Sequence, residues 1–245
     1  MDYGEYQMTG KEKIRYLLVY LILDGITAYL FFHSWIAVFI LFPGIVFFFR
    51  DRKKAKTEQR KGEMQQQFLT GMQLVHTSLQ AGYAIENAFK EALKELQKVY
   101  EENTFIVREF QYIVNQIGLN RTVESLLMEL GQRSHVEDIR NFAEIFYTAK
   151  RTGGDLMVII QNTLSCIWQK QETGRELETL LSGKQMEQTM MSVIPLFILA
   201  YVDLTSPGFL DAMYHNVTGA VIMALCLCVY LLAYFWGRKI MHIRI

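Results

Sequence analysis

Apolar positions along this chain follow two different patterns. From Tyr16 to Phe49 and from Met190 to Trp236 they run almost unbroken, whereas between about Gly62 and Glu187 they recur every three or four residues among charged ones. Unbroken runs suit hydrocarbon, and the three-four spacing is the stripe of an amphipathic helix. The central pattern predicts a series of helices. The first covers Gly62 to Ala81, with Met64, Phe68, Met72, Val75 and Leu79 as its stripe and Gly82 at its end. A second, about Ala84 to Tyr100, turns Ile85, Ala88, Phe89, Ala92, Leu93 and Leu96 inward. A third, capped by Asn103 or Thr104, uses Phe105, Ile106, Phe110, Ile113, Val114 and Ile117 and stops at Gly118. A short fourth follows Asn120 with Val123, Leu126, Leu127 and Leu130. The fifth starts at a Ser134-His135-Val136-Glu137 capping box and continues through Ile139, Phe142, Ile145 and Phe146. Gly153-Gly154-Asp155 makes a turn and an N-cap for a sixth, which has no breaker stronger than Gly174 and Gly183 before Met190. No strand pattern and no Pro between Pro43 and Pro195 interrupt the helices. A weak echo suggests doubling, since Ala81-Gly82-Tyr83-Ala84-Ile85 with Phe89 resembles Thr152-Gly153-Gly154-Asp155-Leu156 with Ile160.

The apolar runs divide further. A single helix over Tyr16 to Phe49 would be roughly 50 Å long against a hydrocarbon core of about 30 Å, so it is expected to fold back at His33-Ser34. The second run breaks at Ser206-Pro207-Gly208 and a segment holding Asp211, His215 and Asn216. The expected fold is an all-α integral membrane protein with an antiparallel cytoplasmic six-helix bundle, built as two three-helix repeats, between two transmembrane helical hairpins. Its boundaries are a cytoplasmic N-terminus at 1–15, a hairpin at 16–49 and a basic juxtamembrane linker at 50–61. The helical domain then covers 62–187, a second hairpin 188–237 and a cytoplasmic C-terminus 238–245.

Charge adds direction. The chain has 25 basic and 25 acidic residues and is 51% hydrophobic. Zero net charge argues against nucleic acid as a partner, because phosphate affinity needs a basic excess, and the apolar content excludes disorder. No Lys or Arg falls within Tyr16–Phe49 or Gln185–Trp236. Arg50, Arg52, Lys53, Lys54 and Lys56 follow the first run and Lys11, Lys13 and Arg15 precede it, while Arg238, Lys239 and Arg244 follow the second. The positive-inside rule then places both termini and the central domain in the cytoplasm, with the basic residues at the lipid headgroups.

Candidate chemistry is sparse. Cys166, Cys226 and Cys228 are too few for a disulfide framework and read as small buried hydrophobes. His76 and His135 lack the partners a helical metal site needs, and neither a phosphate-cradling Gly-rich loop nor a nucleophile elbow occurs. The stretch Ser134 to Arg140 looks a little like the phospho-accepting helix of a sensor kinase, but no ATP-binding domain follows it. Asp24 is the one ionisable group well inside an expected span, read as protonated or hydrogen-bonded at a helix contact beside Gly25. These features predict neither an enzyme nor a bound cofactor or metal.

The arrangement resembles the F-domain family of type II secretion systems, the inner-membrane platform proteins shared with type IV, archaellar and tight-adherence (Tad) pili. The likeness rests on Leu79-Gln80-Ala81-Gly82-Tyr83-Ala84-Ile85 with Ala88; on Phe142, Ile145 and Ala149 before Gly153-Gly154-Asp155-Leu156; and on Ile194-Pro195 entering a span with Pro207-Gly208 after it. Secretion-type members carry two such domains and three spans, so this single-domain layout is closer to the tight-adherence proteins. The resemblance implies a non-enzymatic subunit of the cytoplasmic membrane that touches a hexameric assembly ATPase, pilin or pseudopilin subunits, and a related subunit or itself. It implies that Gly82, Gly153, Gly154 and Asp155 shape helix corners. Partner contacts are expected on the second helix at Glu86, Lys90 and Lys94 and at Glu137 and Asp138. The competing expectation is a membrane-anchored signalling or sensor protein with a helical cytosolic relay domain.

Overall fold

The computed structural model describes residues 10–32, 44–206, 208 and 217–241. Eight helices and no strand occur among them: α1 (Gly10–Phe32), α2 (Gly44–Gln80), α3 (Ile85–Val99), α4 (Phe105–Ile117), α5 (Val123–Ser134), α6 (Glu137–Thr152), α7 (Leu156–Thr205) and α8 (Val217–Met241). The chain divides into two compact units. One holds Lys53–Glu172; the other holds the described parts of Met8–Arg52 and Thr173–Ile245.

In the first unit the stripes of six helical segments feed one buried cluster. Phe68, Met72 and Val75 come from α2, Phe89 and Leu96 from α3, Ile106, Phe110 and Ile113 from α4, Leu126, Leu127 and Leu130 from α5, Ile139, Phe142 and Phe146 from α6, and Ile160, Leu164 and Ile167 from α7. Edge-on aromatic contact joins α2 to α6, with the Phe68 and Phe142 rings 5.3 Å apart. Two close approaches depend on a missing side chain. A Cβ on Gly71 would stand 2.7 Å from the Phe110 ring, and one on Gly131 would stand 2.9 Å from the Arg140 Cα, so α2 meets α4 and α5 meets α6 at glycine.

Several local expectations change. The first helix does not begin at Gly62 but runs unbroken from Gly44, because the basic segment contains no residue that stops a helix. Gly118 stays right-handed at φ −59; the left-handed step falls on Asn120 at φ 63. There the Arg121 N–H donates to the Gln116 carbonyl and the Asn120 N–H to the Ile117 carbonyl, which closes the α4 end. Thr104 precedes α4 without a side-chain capping bond. The capping box at Ser134 is not formed. Ser134 is the last residue of α5, its hydroxyl donates to the Gly131 carbonyl and accepts from the Val136 N–H, and His135 turns the chain at φ 52. Val136, which has no side-chain oxygen to offer, precedes α6. Ile145, expected inward, is 45% exposed, since Phe142 and Phe146 already take the core-facing positions on either side of it.

Three helices among the described residues are long and apolar enough to cross a membrane: Gly10–Phe32, Leu156–Thr205 and Thr218–Gly237. Length and composition thus mark an all-helical membrane protein. In the second unit Leu30 and Phe31 of α1 pack with Met223 and Leu227 of α8, and the Tyr230 hydroxyl donates to the Ser192 carbonyl of α7 at 2.7 Å. Gly237 allows the Gln188 side chain to lie against α8. The expected turn at His33-Ser34, Pro207, and the segment with Asp211, His215 and Asn216 lie outside the described residues. All three cysteines are exposed and not buried. Cys226 and Cys228 flank the buried Leu227 on α8, and Cys166 neighbours Ile167 but faces away from the core.

Asp24 is 6% exposed, and its Oδ2 has no hydrogen-bond partner. The contact beside it is not made at Gly25, which faces open space. Asp24, Ala28, Leu30 and Phe31 are the buried residues of α1, and the spacing of four and three puts Asp24, Ala28 and Phe31 on one face.

Candidate functional site

Two regions of the Lys53–Glu172 unit carry the charged residues expected to meet a partner. The first is the outward side of α3. Glu86, Lys90 and Lys94 are exposed there, and most of their electrostatics is local. Lys94 donates to Glu91 and Lys98 to Glu95, each at 2.7 Å. The hydrogen bond that Lys94 donates to Glu91 raises the Lys94 pKa above its ordinary value. Glu86 reaches out of the helix to Lys150 of α6 at 3.8 Å, and Lys150 stands equally far from Glu124 of α5. One ammonium group therefore ties together the starts of α3 and α5 and the end of α6.

The second region is the α5–α6 corner. Its two turn residues, His135 and Val136, together with Lys61, Gly131, Gln132, Glu137 and Arg140, line a shallow groove of about 530 Å³. Lys61, the last cation of the basic run, thus comes beside the start of α6. Glu137 and Asp138 occupy the first turn of that helix, where negative charge suits the free N–H groups. Asp138 is engaged within the chain. Its Oδ2 accepts from the Gln65 amide of α2 at 2.5 Å, and its Oδ1 accepts from Lys170 of α7 at 2.8 Å. That bond raises the Lys170 pKa, with burial opposing it.

The structure separates these two regions. Glu86 is attached near the end of α6 and Asp138 lies at its beginning, about 18 Å apart along the helix at 1.5 Å per residue. Glu137 faces the groove, while Asp138 is the knot that fastens α2, α6 and α7.

The corner residues are simply placed. Gly82 has φ 88 and Gly153 φ 72, both left-handed. The Tyr83 N–H donates to the Ser78 carbonyl and the Gly154 N–H to the Ala149 carbonyl, so each glycine closes the helix before it. A Cβ on Gly154 would meet the Ile159 side chain at 3.0 Å. Asp155 Oδ1 accepts from the N–H groups of Met157 and Val158, at 2.9 and 3.4 Å, and caps α7. Arg50, Arg52, Lys53 and Lys54 are exposed along α2 and Lys56 is half-buried. Successive residues differ by 100° around a helix, so cations at 50, 52, 53, 54 and 56 spread around α2 instead of forming one stripe.

Pattern reading passed over an ion-pair chain anchored on one buried acid. Glu109 of α4, nearly inaccessible, accepts from Arg133 of α5 at 2.5 Å. Arg133 also stacks 4.9 Å from the Tyr112 ring and stands 3.7 Å from Glu129, which Arg121 binds as well. Glu109 does sit within the α4 apolar run, beside Phe110, and an acid there was the available signal. Among the described residues no grouping of three or more His, Cys, Asp or Glu side chains is placed to hold a metal ion. No protein family, curated protein or solved structure matches this chain.

Proposed function

We propose that this chain is a cytoplasmic-membrane platform subunit of a type II secretion, type IV pilus or tight-adherence pilus machine, without catalysis of its own. In this reading 62–187 forms an antiparallel bundle of two three-helix repeats lying in sequence between two transmembrane hairpins, with both termini cytoplasmic. A hexameric ATPase acts on the bundle, and pilin or pseudopilin subunits enter or leave the membrane beside the spans. A sister subunit or a second copy completes the platform.

The observation that supports this reading most is α7. It is a single helix of 50 residues whose first turns are buried through Ile160, Leu164 and Ile167 and whose later part is apolar enough to cross a membrane. The hydrogen-bond ladder breaks at Pro195, which has no N–H to donate; the turns before it resist bending, so a displacement imposed on the first turns reaches the start of the span. Inserting Gly-Gly after Gln188 is expected to abolish filament assembly while the melting of the Lys53–Glu172 unit stays unchanged; normal piliation in that variant refutes the coupling. Co-purification with a secretion ATPase tests the assignment itself, and its failure under conditions that retain other membrane partners counts against it.

A further inference from the structure

α1 and α2 meet near one end of the second unit. The Tyr20 and Phe48 rings lie 5.6 Å apart, and a Cβ placed on Gly44 would stand 2.6 Å from the Tyr20 hydroxyl oxygen, so α2 starts against that phenol. Two arginines lie close to the contact along their own helices. At 1.5 Å per residue Arg15 is about 7.5 Å from Tyr20, and Arg52 is about 6 Å from Phe48. Each guanidinium is stacked on a ring of its own helix, Arg15 over Tyr16 at 5.6 Å and Arg52 over Phe48 at 5.2 Å. Lys11, Lys13 and Arg50 stand on the same polar ends, against Glu12 and Asp51.

Stacking fixes the face of a guanidinium and leaves its in-plane N–H donors directed outward, the geometry that takes a phosphate through two parallel hydrogen bonds. No carboxylate forms an ion pair with Arg15 or Arg52 among the described residues. The aromatic groups beside them are of the kind that collects at a membrane–water boundary. We propose that the basic ends of α1 and α2 bind the phosphates of anionic lipid headgroups, through Arg15 and Arg52 at the level of Tyr16, Tyr20 and Phe48. Lipid is the source because the same contact adjoins the apolar residues Ile45, Val46 and Phe49, which offer an acyl chain a surface that a free anion cannot use. The site rests on the chain being embedded in a membrane and not on any role in filament assembly.

The test uses the full chain in nanodiscs of phosphatidylcholine with a minor share of phosphatidylglycerol, with native mass spectrometry counting the lipids that stay bound. Wild type is expected to enrich phosphatidylglycerol. Arg15→Gln with Arg52→Gln should lower that enrichment by tenfold or more, at about fivefold per cation removed from a membrane surface. Lys98→Gln with Arg151→Gln, which removes equal charge from the other unit, should leave it unchanged. Arg15→Lys with Arg52→Lys keeps the charges that orient the spans but loses the paired donors, and should also lose enrichment. Undiminished enrichment in either arginine double variant, or an equal loss in the Lys98/Arg151 control, overturns the site. Displacement of the bound lipid by millimolar inorganic phosphate would reassign it to a soluble anion and overturns it too. Alkaline extraction of the same membranes separates the two ideas: a chain that washes off refutes embedding, whereas one that resists and shows no lipid preference refutes the site alone.

Discussion

Substituting alanine for glycine at two helical positions of the Lys53–Glu172 unit should have opposite effects. Gly62 lies inside α2 with nothing near its absent Cβ, whereas a Cβ on Gly131 of α5 would stand 2.9 Å from the Arg140 Cα and 3.5 Å from its Cβ and N. Gly→Ala in a helix interior gains about 1 kcal/mol from backbone entropy alone. At Gly62 that gain is unopposed. At Gly131 the obstacle is backbone that no rotamer change can move, so the overpacking cost falls in the upper part of the usual range of about 1–3 kcal/mol. The net effect is a loss of about 1–2 kcal/mol. For a unit of this size 1 kcal/mol moves the midpoint by about 3–5 °C, so Gly62→Ala should melt higher and Gly131→Ala lower by amounts that thermal unfolding in detergent resolves. Hydrogen exchange supplies the local control. Gly131→Ala should lower amide protection in α5 and α6, which must part to admit the methyl group, while the α8 amides stay as they were. If Gly131→Ala raised the midpoint as Gly62→Ala does, the close approach of α5 to α6 would be refuted.

Arg133→Met should destabilise by about 1.5–3 kcal/mol, because it removes the cationic partner of the buried Glu109 carboxylate, and adding Glu109→Gln should recover part of that loss in denaturant titrations. Gly153→Ala should cost about 1–2 kcal/mol through its left-handed backbone, and Asp155→Ala about 1 kcal/mol through the lost cap; calorimetric melts of the single variants check both. Lys170→Met should cost at most about 1 kcal/mol at neutral pH, since the lysine is more than half exposed and its pair with Asp138 is screened. The raised Lys170 pKa means that the bond contributes fully below the ordinary lysine value of about 10.4 and is lost as pH rises through the higher folded value. The difference between Lys170→Met and wild type should therefore vanish in strongly alkaline melts, and a difference that grew there would contradict the assignment.

Helix existence was legible in the chain because the stripes are strong. The residues expected inward on α3 and the short stripe of α5 are all buried, and a three-four spacing has no second interpretation in a region without Pro. Helix ends were less legible because a terminus is decided by a few local bonds that compete. Ser134 and Glu137 have the spacing of a capping box, yet the same serine hydroxyl can bond back to the Gly131 carbonyl, and a left-handed His135 makes that alternative available. Asn120 replaces Gly118 for a related reason, since asparagine tolerates the left-handed region well enough to end a helix two residues later. The charged candidates were the least legible, because burial and pairing depend on neighbours distant in the chain. Nothing around Asp138 in sequence announces Gln65 or Lys170.

The cysteines and α7 show the same limit from the apolar side. Hydropathy places Cys226 and Cys228 in a run that must avoid water, but avoiding water can mean facing lipid as well as facing protein, and the residues of that part of α8 that pack on other helices are Met223 and Leu227, with Tyr230 and Leu231 beside them. On α7 the last buried residue is Ile167, although the helix continues to Thr205. From Thr173 to Thr189 its backbone is held by intrinsic propensity and by local pairs such as Lys184 with Glu187, against Gly174 and Gly183, each of which costs about 1 kcal/mol relative to alanine. Neither glycine meets a neighbour that would require it. Unpacked glycines leave this stretch more easily bent than the buried turns before it, ahead of the break in the hydrogen-bond ladder at Pro195. That is the segment whose stiffness the proposed coupling requires, and where a Gly-Gly insertion acts most directly.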